Sequence, residues 1–249
     1  MTTDDDASQY LRHCAVAALI LVGAYGLFVA DFISSWILFA IVAVTLPRWI
    51  ISVHELIHVK SDKQINRIIS CLAISPIPLS ILTLSYLQIC EIHLSHHRSP
   101  TTESDLDAYH IRGNLFVVIL NALSTPEQSF IRSIQLNGFN LQLGLDLLIK
   151  LLILGILIFF GKEKFFLFWL FLRIVYGLGD IVFFRLVHHQ KGKYGTFEIK
   201  LPSILETLGE LIFGKTVIQA TINHDVHHQN PGIAAHNLAM ARPYINESL

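Results

Sequence analysis

Histidines occur along this chain in three short groups whose spacing suits metal binding. The groups are His54-Glu-Leu-Ile-His58, His93-Leu-Ser-His96-His97 and His224-Asp-Val-His227-His228. Imidazoles at positions i, i+3 or i, i+4 lie on one face of a helix, so each group can present its rings together. Eight clustered histidines exceed what one tetrahedral zinc ion can bind. Imidazole also binds iron, and the number therefore predicts a site with two metal ions.

The segments that must position these groups have the composition of a membrane protein. Of the 249 residues, 53% are hydrophobic and 15% are charged, whereas a soluble domain carries about 25% charged residues. Crossing a bilayer takes about 20 predominantly apolar residues. Four stretches satisfy this and predict two helical hairpins: residues 13–30, 32–52, 141–160 and 164–187. The chain is therefore predicted to be one all-α membrane domain over residues 1–249, with four transmembrane helices, peripheral amphipathic helices and a histidine-rich metal site.

Three further segments are expected at the membrane surface or partway into it. Residues 65–90 are apolar, but Pro76 and Pro78 interrupt helix geometry, so this segment is not counted as a span. Residues 114–138 and 203–222 mix apolar and polar side chains, as helices that lie on a bilayer do. The second of these segments leads directly into the third histidine group.

Charged residues within the predicted spans include Asp146, Lys150 and Arg173. Asp146 and Lys150 are four residues apart and can neutralise each other on one helix face, while Arg173 lies in the last span. Charges inside a membrane are functional candidates by default. A structural ion pair, or a side chain that reaches towards the nearer membrane surface, explains these three equally well.

The distribution of basic residues predicts how the chain is oriented. The turn of the first hairpin carries no Lys or Arg, and that of the second carries only Lys162 and Lys164. Most of the other basic residues, among them Arg48, Arg98 and Lys191, lie on the opposite side. Cytoplasmic segments carry the excess of Lys and Arg, so the pattern places all three histidine groups in the cytoplasm.

Composition also limits the partners and the redox chemistry. The formal net charge is −1, which gives no support for nucleic-acid binding. The three cysteines have no paired spacing, and no flavin or nicotinamide fingerprint is present. Electrons for a redox reaction would therefore come from an external carrier such as ferredoxin.

Two alternatives from other functional classes fit parts of the sequence. The residues His54-Glu55-Leu-Ile-His58 also match H-E-x-x-H, the zinc protease motif, in which Glu55 would be the general base. That interpretation leaves the histidines of the second and third groups without a role. A histidine-lined metal transporter would want polar ligands within the spans, whereas the three groups lie at the predicted span ends.

The order H-x3-H, H-x2-H-H, H-x2-H-H, with two hairpins, resembles the membrane fatty acid desaturase superfamily, which includes hydroxylases and carotenoid ketolases. The resemblance covers roughly residues 45–245. Its first box is similar to Val53–His58 followed by Asn66-Arg67, its linker to Ser75–Ser80, its second box to Glu91–Arg98 and its third to Asn223–Gly232. One departure is Arg185, where some members have an asparagine one turn before an extra histidine.

The resemblance implies a non-haem diiron centre with about nine histidine ligands, one of them between the second and third boxes. In this chain the extra ligand falls in Leu186-Val-His-His-Gln190. Aligning Tyr176-Gly177-Leu178 with the family's approach to that ligand favours His189, with His188 as the alternative; Asn223 is a further possible site residue. The expected metal ligands are His54, His58, His93, His96, His97, His189, His224, His227 and His228.

The expected activity follows from this resemblance. It implies a membrane diiron oxygenase that uses dioxygen to desaturate a fatty-acyl chain, with an external electron donor and an apolar substrate as partners. Hydroxylation or ketolation of a lipid or carotenoid is the alternative within the superfamily, because the histidine boxes report the metal site and not the substrate. No catalytic residue beyond the metal ligands is expected.

Overall fold

The computed structural model describes residues 4–58 and 86–246. Pro76, Pro78 and most of the apolar segment predicted at 65–90 lie outside the described residues, as do the Asn66-Arg67 pair and the Ser75–Ser80 linker. In the described part, α-helices dominate, and one two-stranded antiparallel hairpin accompanies them. The α-helices are α1 (Asp4–Val29), α2 (Ser35–Ile57), α3 (Tyr86–Arg98), α4 (Leu115–Leu123), α5 (Thr125–Asn137), α6 (Leu141–Gly161), α7 (Glu163–Asp180), α8 (Ser203–Phe213), α9 (Lys215–Ile222), α10 (His224–Gln229) and α11 (Leu238–Asn246).

The predicted all-α membrane fold with four spans is confirmed. Four helical segments are long and apolar enough to cross a bilayer: Asp6–Val29, Ser35–Ile57, Leu143–Gly161 and Glu163–Leu186. Two boundaries differ from the prediction. Helix α1 begins at Asp4 and not near residue 13, and α2 continues to Ile57, so His54 lies inside the helix. The last span ends in a π-helical turn, Ile181–Leu186, which follows α7 directly.

Polar side chains set the positions at which several helices begin. The Ser34 hydroxyl accepts a hydrogen bond from the amide of Ile37 at the start of α2. Asn140 accepts one from the amide of Leu143 at the start of α6. Each side chain satisfies a backbone N–H that has no partner within the helix. These caps set the residues at which the apolar helices α2 and α6 begin.

Aromatic packing joins the two hairpins. The ring of Tyr25 in α1 stacks on Phe168 of α7 at a centroid distance of 4.8 Å. Its hydroxyl donates a hydrogen bond to the carbonyl of Leu157 in α6. A side chain at Gly161 would collide with the Tyr25 hydroxyl, so the end of α6 can approach α1 only because residue 161 is glycine. Burial of this cluster holds the spans as one bundle.

Two charged residues of the last span form ion pairs. Arg173 donates to both carboxylate oxygens of Glu127 in α5 and to the carbonyl of Leu123. At the other end, the Lys164 ammonium lies 2.7 Å from a carboxylate oxygen of Asp31 in the first hairpin turn. These pairs support the structural interpretation of charge in α7, because both side chains connect it to neighbouring segments.

Each predicted amphipathic segment is a pair of helices. Residues 114–138 divide into α4 and α5, and residues 203–222 divide into α8 and α9 around Gly214, whose φ is +96°. Helix α8 turns large apolar side chains outward, including Ile204 and Leu211, which are 69% and 77% exposed. Its Glu206 and Glu210 instead accept hydrogen bonds from Gln219 of α9. A helix with acids inside and apolar groups outside fits a lipid boundary.

Candidate metal centre

Nine histidines from separate elements converge at one end of the bundle. They come from the end of α2, from α3, from the segment after the π-helical turn and from α10. Within each of two groups, one nitrogen of every ring lies within 4.8 Å of the corresponding nitrogen of the others. The first group contains His54, His58, His93, His97 and His227, and the second contains His96, His188, His224 and His228.

The ring nitrogens face one another at distances that suit shared metal ions. The Nε2 atom of His93 lies 3.0 Å from that of His58 and 3.0 Å from that of His97. In the second group, the Nε2 atoms of His96 and His188 are 3.1 Å apart. Two nitrogens bound to one ion at about 2.1 Å and at right angles are about 3.0 Å apart. The spacing therefore fits imidazoles that share an ion.

Several buried ring nitrogens have no hydrogen-bond partner within the described ranges. These atoms include Nε2 of His54 and both ring nitrogens of His227. A buried polar atom left unpaired costs free energy. A metal ion bound between the rings would satisfy the inward nitrogens, so these unpaired atoms fit a metal site better than they fit a packed core.

Burial favours the neutral form of several cluster imidazoles. It lowers the pKa of His93, His224 and His227 well below the usual histidine value, and neighbouring imidazoles lower it further. Burial, with the imidazoles around it, lowers the pKa of His97 to about 2. A neutral imidazole is the form that donates a lone pair to a metal. The surroundings thus hold the rings in their binding form.

A buried carboxylate orients His54. Glu55 is 1% exposed, and its Oε1 lies 3.2 Å from Nδ1 of His54. Its Oε2 accepts hydrogen bonds from the Tyr10 hydroxyl of α1 and from the amide of Ala235. The carboxylate is therefore engaged on the outer side of the ring, and Nε2 of His54 points to the cluster. This is the arrangement by which carboxylates fix metal-binding histidines.

A second carboxylate performs the same task for His96. Asp105 Oδ2 lies 2.8 Å from Nδ1 of His96 and accepts a hydrogen bond from the amide of Thr101, while Oδ1 accepts one from Asp107. Burial raises the pKa of Asp105, but these hydrogen bonds outweigh it, and the pKa falls below its usual value. Asp105 is thus held ionised against the ring.

Of the two adjacent histidines after α7, the structure places His188 in the cluster and His189 outside it. His188 is fully buried in the second group, and its Nδ1 lies 2.9 Å from the carbonyl oxygen of Gly195. His189, which the sequence favoured, is in neither group; its ring packs 4.8 Å from that of Tyr194. The physical reason is the π-helical turn at Ile181–Leu186. A π turn adds a residue relative to an α-helix and so changes which side chain faces inward.

Two other residues that the sequence analysis singled out are engaged away from the rings. The Asn223 side chain donates to Gln219 and accepts from Arg242, which also forms a two-pronged pair with Asp225. Arg185 donates to the carbonyls of Ile111 and Gly113. The contacts of Arg185 therefore stabilise the segment that carries His188, and those of Asn223 stabilise the segment that carries the third group.

Sequence reasoning missed the groups that orient the rings. No motif in the sequence marks Asp105, Tyr10 precedes the first predicted span at 13–30, and Gly195 carries no signal. Asp105 follows His96 by nine residues, and that distance corresponds to no helical period. Only the loop after α3, which turns back onto its own helix, brings the two together.

Comparison with known proteins gives one match. The family model described as fatty acid desaturase matches residues 33–249. No curated protein and no solved structure gives a significant match to the chain. The matched residues include all nine clustered histidines, as well as Glu55 and Asp105.

Proposed function

The chain belongs to the fatty acid desaturase family, and we propose that it is a membrane oxidoreductase that uses two irons and dioxygen to desaturate a fatty-acyl chain. The observation that carries this proposal is the division of nine buried or half-buried histidines into two adjoining groups. Five ring nitrogens in one group and four in the other suit two ions better than one. Both groups consist of imidazole, which suits iron.

The proposed ligands follow the two groups. The first ion would be held by the five histidines of the first group and the second ion by the four of the second, with His188 in the place first expected for His189. When bound, the iron pair would supply the site at which dioxygen is activated for removal of hydrogen from an unactivated carbon. The proposed ligands are His54, His58, His93, His96, His97, His188, His224, His227 and His228.

The protein's part is to hold these rings in fixed orientations. Glu55, Asp105 and the Gly195 carbonyl each bind the outer nitrogen of one ring. The inner nitrogens of those rings then keep their lone pairs for metal. Burial lowers the pKa of His93, His97 and His227, so these imidazoles are assigned no proton transfer in the reaction.

The overall reaction requires electrons that the substrate does not supply. Removing two hydrogens from adjacent carbons forms the double bond and yields two electrons and two protons. Reduction of dioxygen to two waters requires four of each. Two further electrons and two protons must therefore enter in each cycle, and the sequence has no second cofactor motif to provide them. An external one-electron carrier of the ferredoxin class is the proposed source.

The site is proposed to face the cytoplasm. The turns between α1 and α2 and between α6 and α7 lie at one end of the spans, and the histidines lie at the other. Basic residues concentrate at the histidine end, which favours a cytoplasmic location. The outward apolar face of α8 supports a site at the bilayer surface, where an acyl chain can enter from the lipid.

The contacts of Glu55 argue against the zinc protease. A protease base must contact the metal-bound water. Here both carboxylate oxygens are occupied by Tyr10, His54 and Ala235. The nine-histidine cluster also provides far more nitrogens than one zinc ion uses. In the described part of the chain the cluster lies at the span ends, which argues against a transporter, because a transporter would want polar ligands within the spans.

The lipid composition of an expression host tests this function. Cells that carry the wild-type chain should accumulate acyl chains with two hydrogens fewer, and cells that carry His227→Ala at equal membrane abundance should not. Mass spectrometry separates the outcomes. Products that gain an oxygen atom would show that the reaction is hydroxylation or ketolation and not desaturation. An unchanged lipid and carotenoid profile under aerobic, iron-replete growth would contradict the proposal.

A further inference from the structure

A cationic surface with an exposed aromatic ring lies beside the second histidine group. The strands β1 (His189–Gln190) and β2 (Lys193–Tyr194) form a short antiparallel hairpin directly after His188. We call the five side chains on and beside it the basic hairpin patch. They are Arg112, Arg185, Lys191, Lys193 and Tyr194.

The patch is built around the Tyr194 ring. That ring is 44% exposed, and the guanidinium carbons of Arg112 and Arg185 lie 5.8 and 5.9 Å from its centre. Both arginines are held in place, because Arg112 donates to the carbonyl of Thr101 and Arg185 donates to carbonyls of the loop before α4. Cations over an aromatic face stabilise this arrangement.

The hairpin presents its two lysines to solvent. Lys191 and Lys193 are exposed on either side of Gly192. The turn is tight, since Lys191 and Gly192 have φ values of +50° and +77°. Glu198, four residues after Tyr194, is engaged by cations outside the patch, because it contacts Arg242 and Lys200. The patch is therefore a positively charged surface of defined shape.

The patch is one hydrogen bond from a proposed metal ligand. Gly195, the residue after Tyr194, accepts from Nδ1 of His188 at 2.9 Å and donates its own amide to the His188 carbonyl at 3.0 Å. The Nε2 of the same ring faces His96. A molecule bound on the hairpin would thus lie outside the ring of one proposed ligand, with only the Gly195 peptide between them.

We propose that the basic hairpin patch docks an acidic one-electron carrier protein, which delivers electrons to the metal site by way of Gly195 and His188. The inference rests on the proposed function, since it concerns the source of the two extra electrons in each cycle. Two reduced carriers are oxidised per turnover, and two protons from water accompany their electrons to dioxygen. Complementary charge would guide the carrier to the hairpin.

The composition of the patch favours a protein over a lipid headgroup. Tyr and Arg are enriched at the centres of protein interfaces, and here two arginines flank an exposed tyrosine. A phosphate headgroup would require the cations but neither the aromatic ring nor the link to His188. Lipid binding is therefore an outcome of the test and not the inference.

Binding of a purified acidic [2Fe–2S] ferredoxin to the enzyme in phosphatidylcholine nanodiscs tests the patch without relying on turnover. The test variant is Lys191→Glu/Lys193→Glu, which reverses two exposed charges. The control is Lys162→Glu, which reverses one exposed charge at the turn before α7. The 24-residue span between them separates the two positions by about 35 Å. Circular dichroism and iron content check that each variant is folded and loaded.

The double variant should bind ferredoxin at least about tenfold more weakly at low salt and show a smaller salt dependence. Its apparent KM for ferredoxin should rise, while kcat at saturation and iron content stay near wild type; Lys162→Glu should change none of these. Equal affinity of the double variant and wild type would overturn the proposal. Loss of co-purified anionic lipid with unchanged ferredoxin affinity would assign the patch to headgroups. A wild-type enzyme that binds ferredoxin but never turns over would contradict the proposed function and not the docking surface.

Discussion

Asp105 lies 2.8 Å from Nδ1 of His96, and both side chains are wholly buried. The two residues belong to different segments, the end of α3 and the loop that follows it. The carboxylate fixes the ring so that Nε2 faces His188. This pair shows how the site is built. Each histidine box supplies rings, and buried carboxylates orient them: Asp105 lies outside the boxes and Glu55 lies within the first.

Replacing Asp105 by Asn should weaken the site without unfolding the protein. The amide keeps one oxygen for His96, but it loses the charge and one of the acceptor atoms that hold Thr101 and Asp107. Loss of such an outer partner costs about 10–100-fold in metal affinity or activity. Iron retention during dialysis and the rate of product formation measure the effect. The exposed neighbour Glu103→Gln is the control, and equal behaviour of the two variants would show that Asp105 has no orienting role.

The adjacent histidines provide the sharpest comparison of ligand and bystander. His188→Ala should remove a nitrogen from the second group and abolish turnover, and it should lower the iron content. His189→Ala removes only a ring that packs on Tyr194, so activity should stay within a few-fold of wild type. Both variants need to be present in the membrane at wild-type abundance. The reverse result, with His189 essential and His188 dispensable, would show that His189 and not His188 is the ligand.

These two residues also show what the sequence could and could not predict. Residue type and helical spacing identified eight of the nine clustered histidines, and hydropathy identified the four spans. The ninth required knowledge of a π-helical turn, which local composition does not reveal. One residue of displacement rotates a side chain by about 100° around a helix. The contacts of Asp105, Tyr10 and Gly195 likewise depend on tertiary packing between segments.

Glu55→Gln separates the diiron oxygenase from the zinc protease. In the proposed site Glu55 orients His54. Glutamine at this position can still accept one hydrogen bond through its oxygen, but its NH2 group cannot accept the hydrogen bonds that Tyr10 and Ala235 donate to Glu55. Oxygenase activity should therefore fall by about 10–100-fold and the iron content should decrease. Peptidase assays on a membrane-protein substrate should detect nothing in either form. A wild-type peptidase activity that disappears in Glu55→Gln would favour the protease.

The orientation of the chain is tested by labelling single cysteines with a membrane-impermeant maleimide. In a variant that lacks Cys14, Cys71 and Cys90, the first hairpin turn is probed by Phe32→Cys and the second by Glu163→Cys. Both should react in intact cells. A cysteine at Lys193 should react only after the membrane is permeabilised, because the proposed site faces the cytoplasm. Labelling at position 193 in intact cells would place the histidines on the outer side.

The metal content of the purified chain tests the central claim most directly. Two groups of histidines predict about two irons per chain in protein purified from iron-replete cells, measured by plasma mass spectrometry against amino-acid analysis. His96→Ala and His58→Ala change different groups, so each should lower the iron content while the protein remains folded. Removal of iron by a chelator should abolish product formation, and ferrous iron should restore it. One zinc per chain and no bound iron would contradict the account.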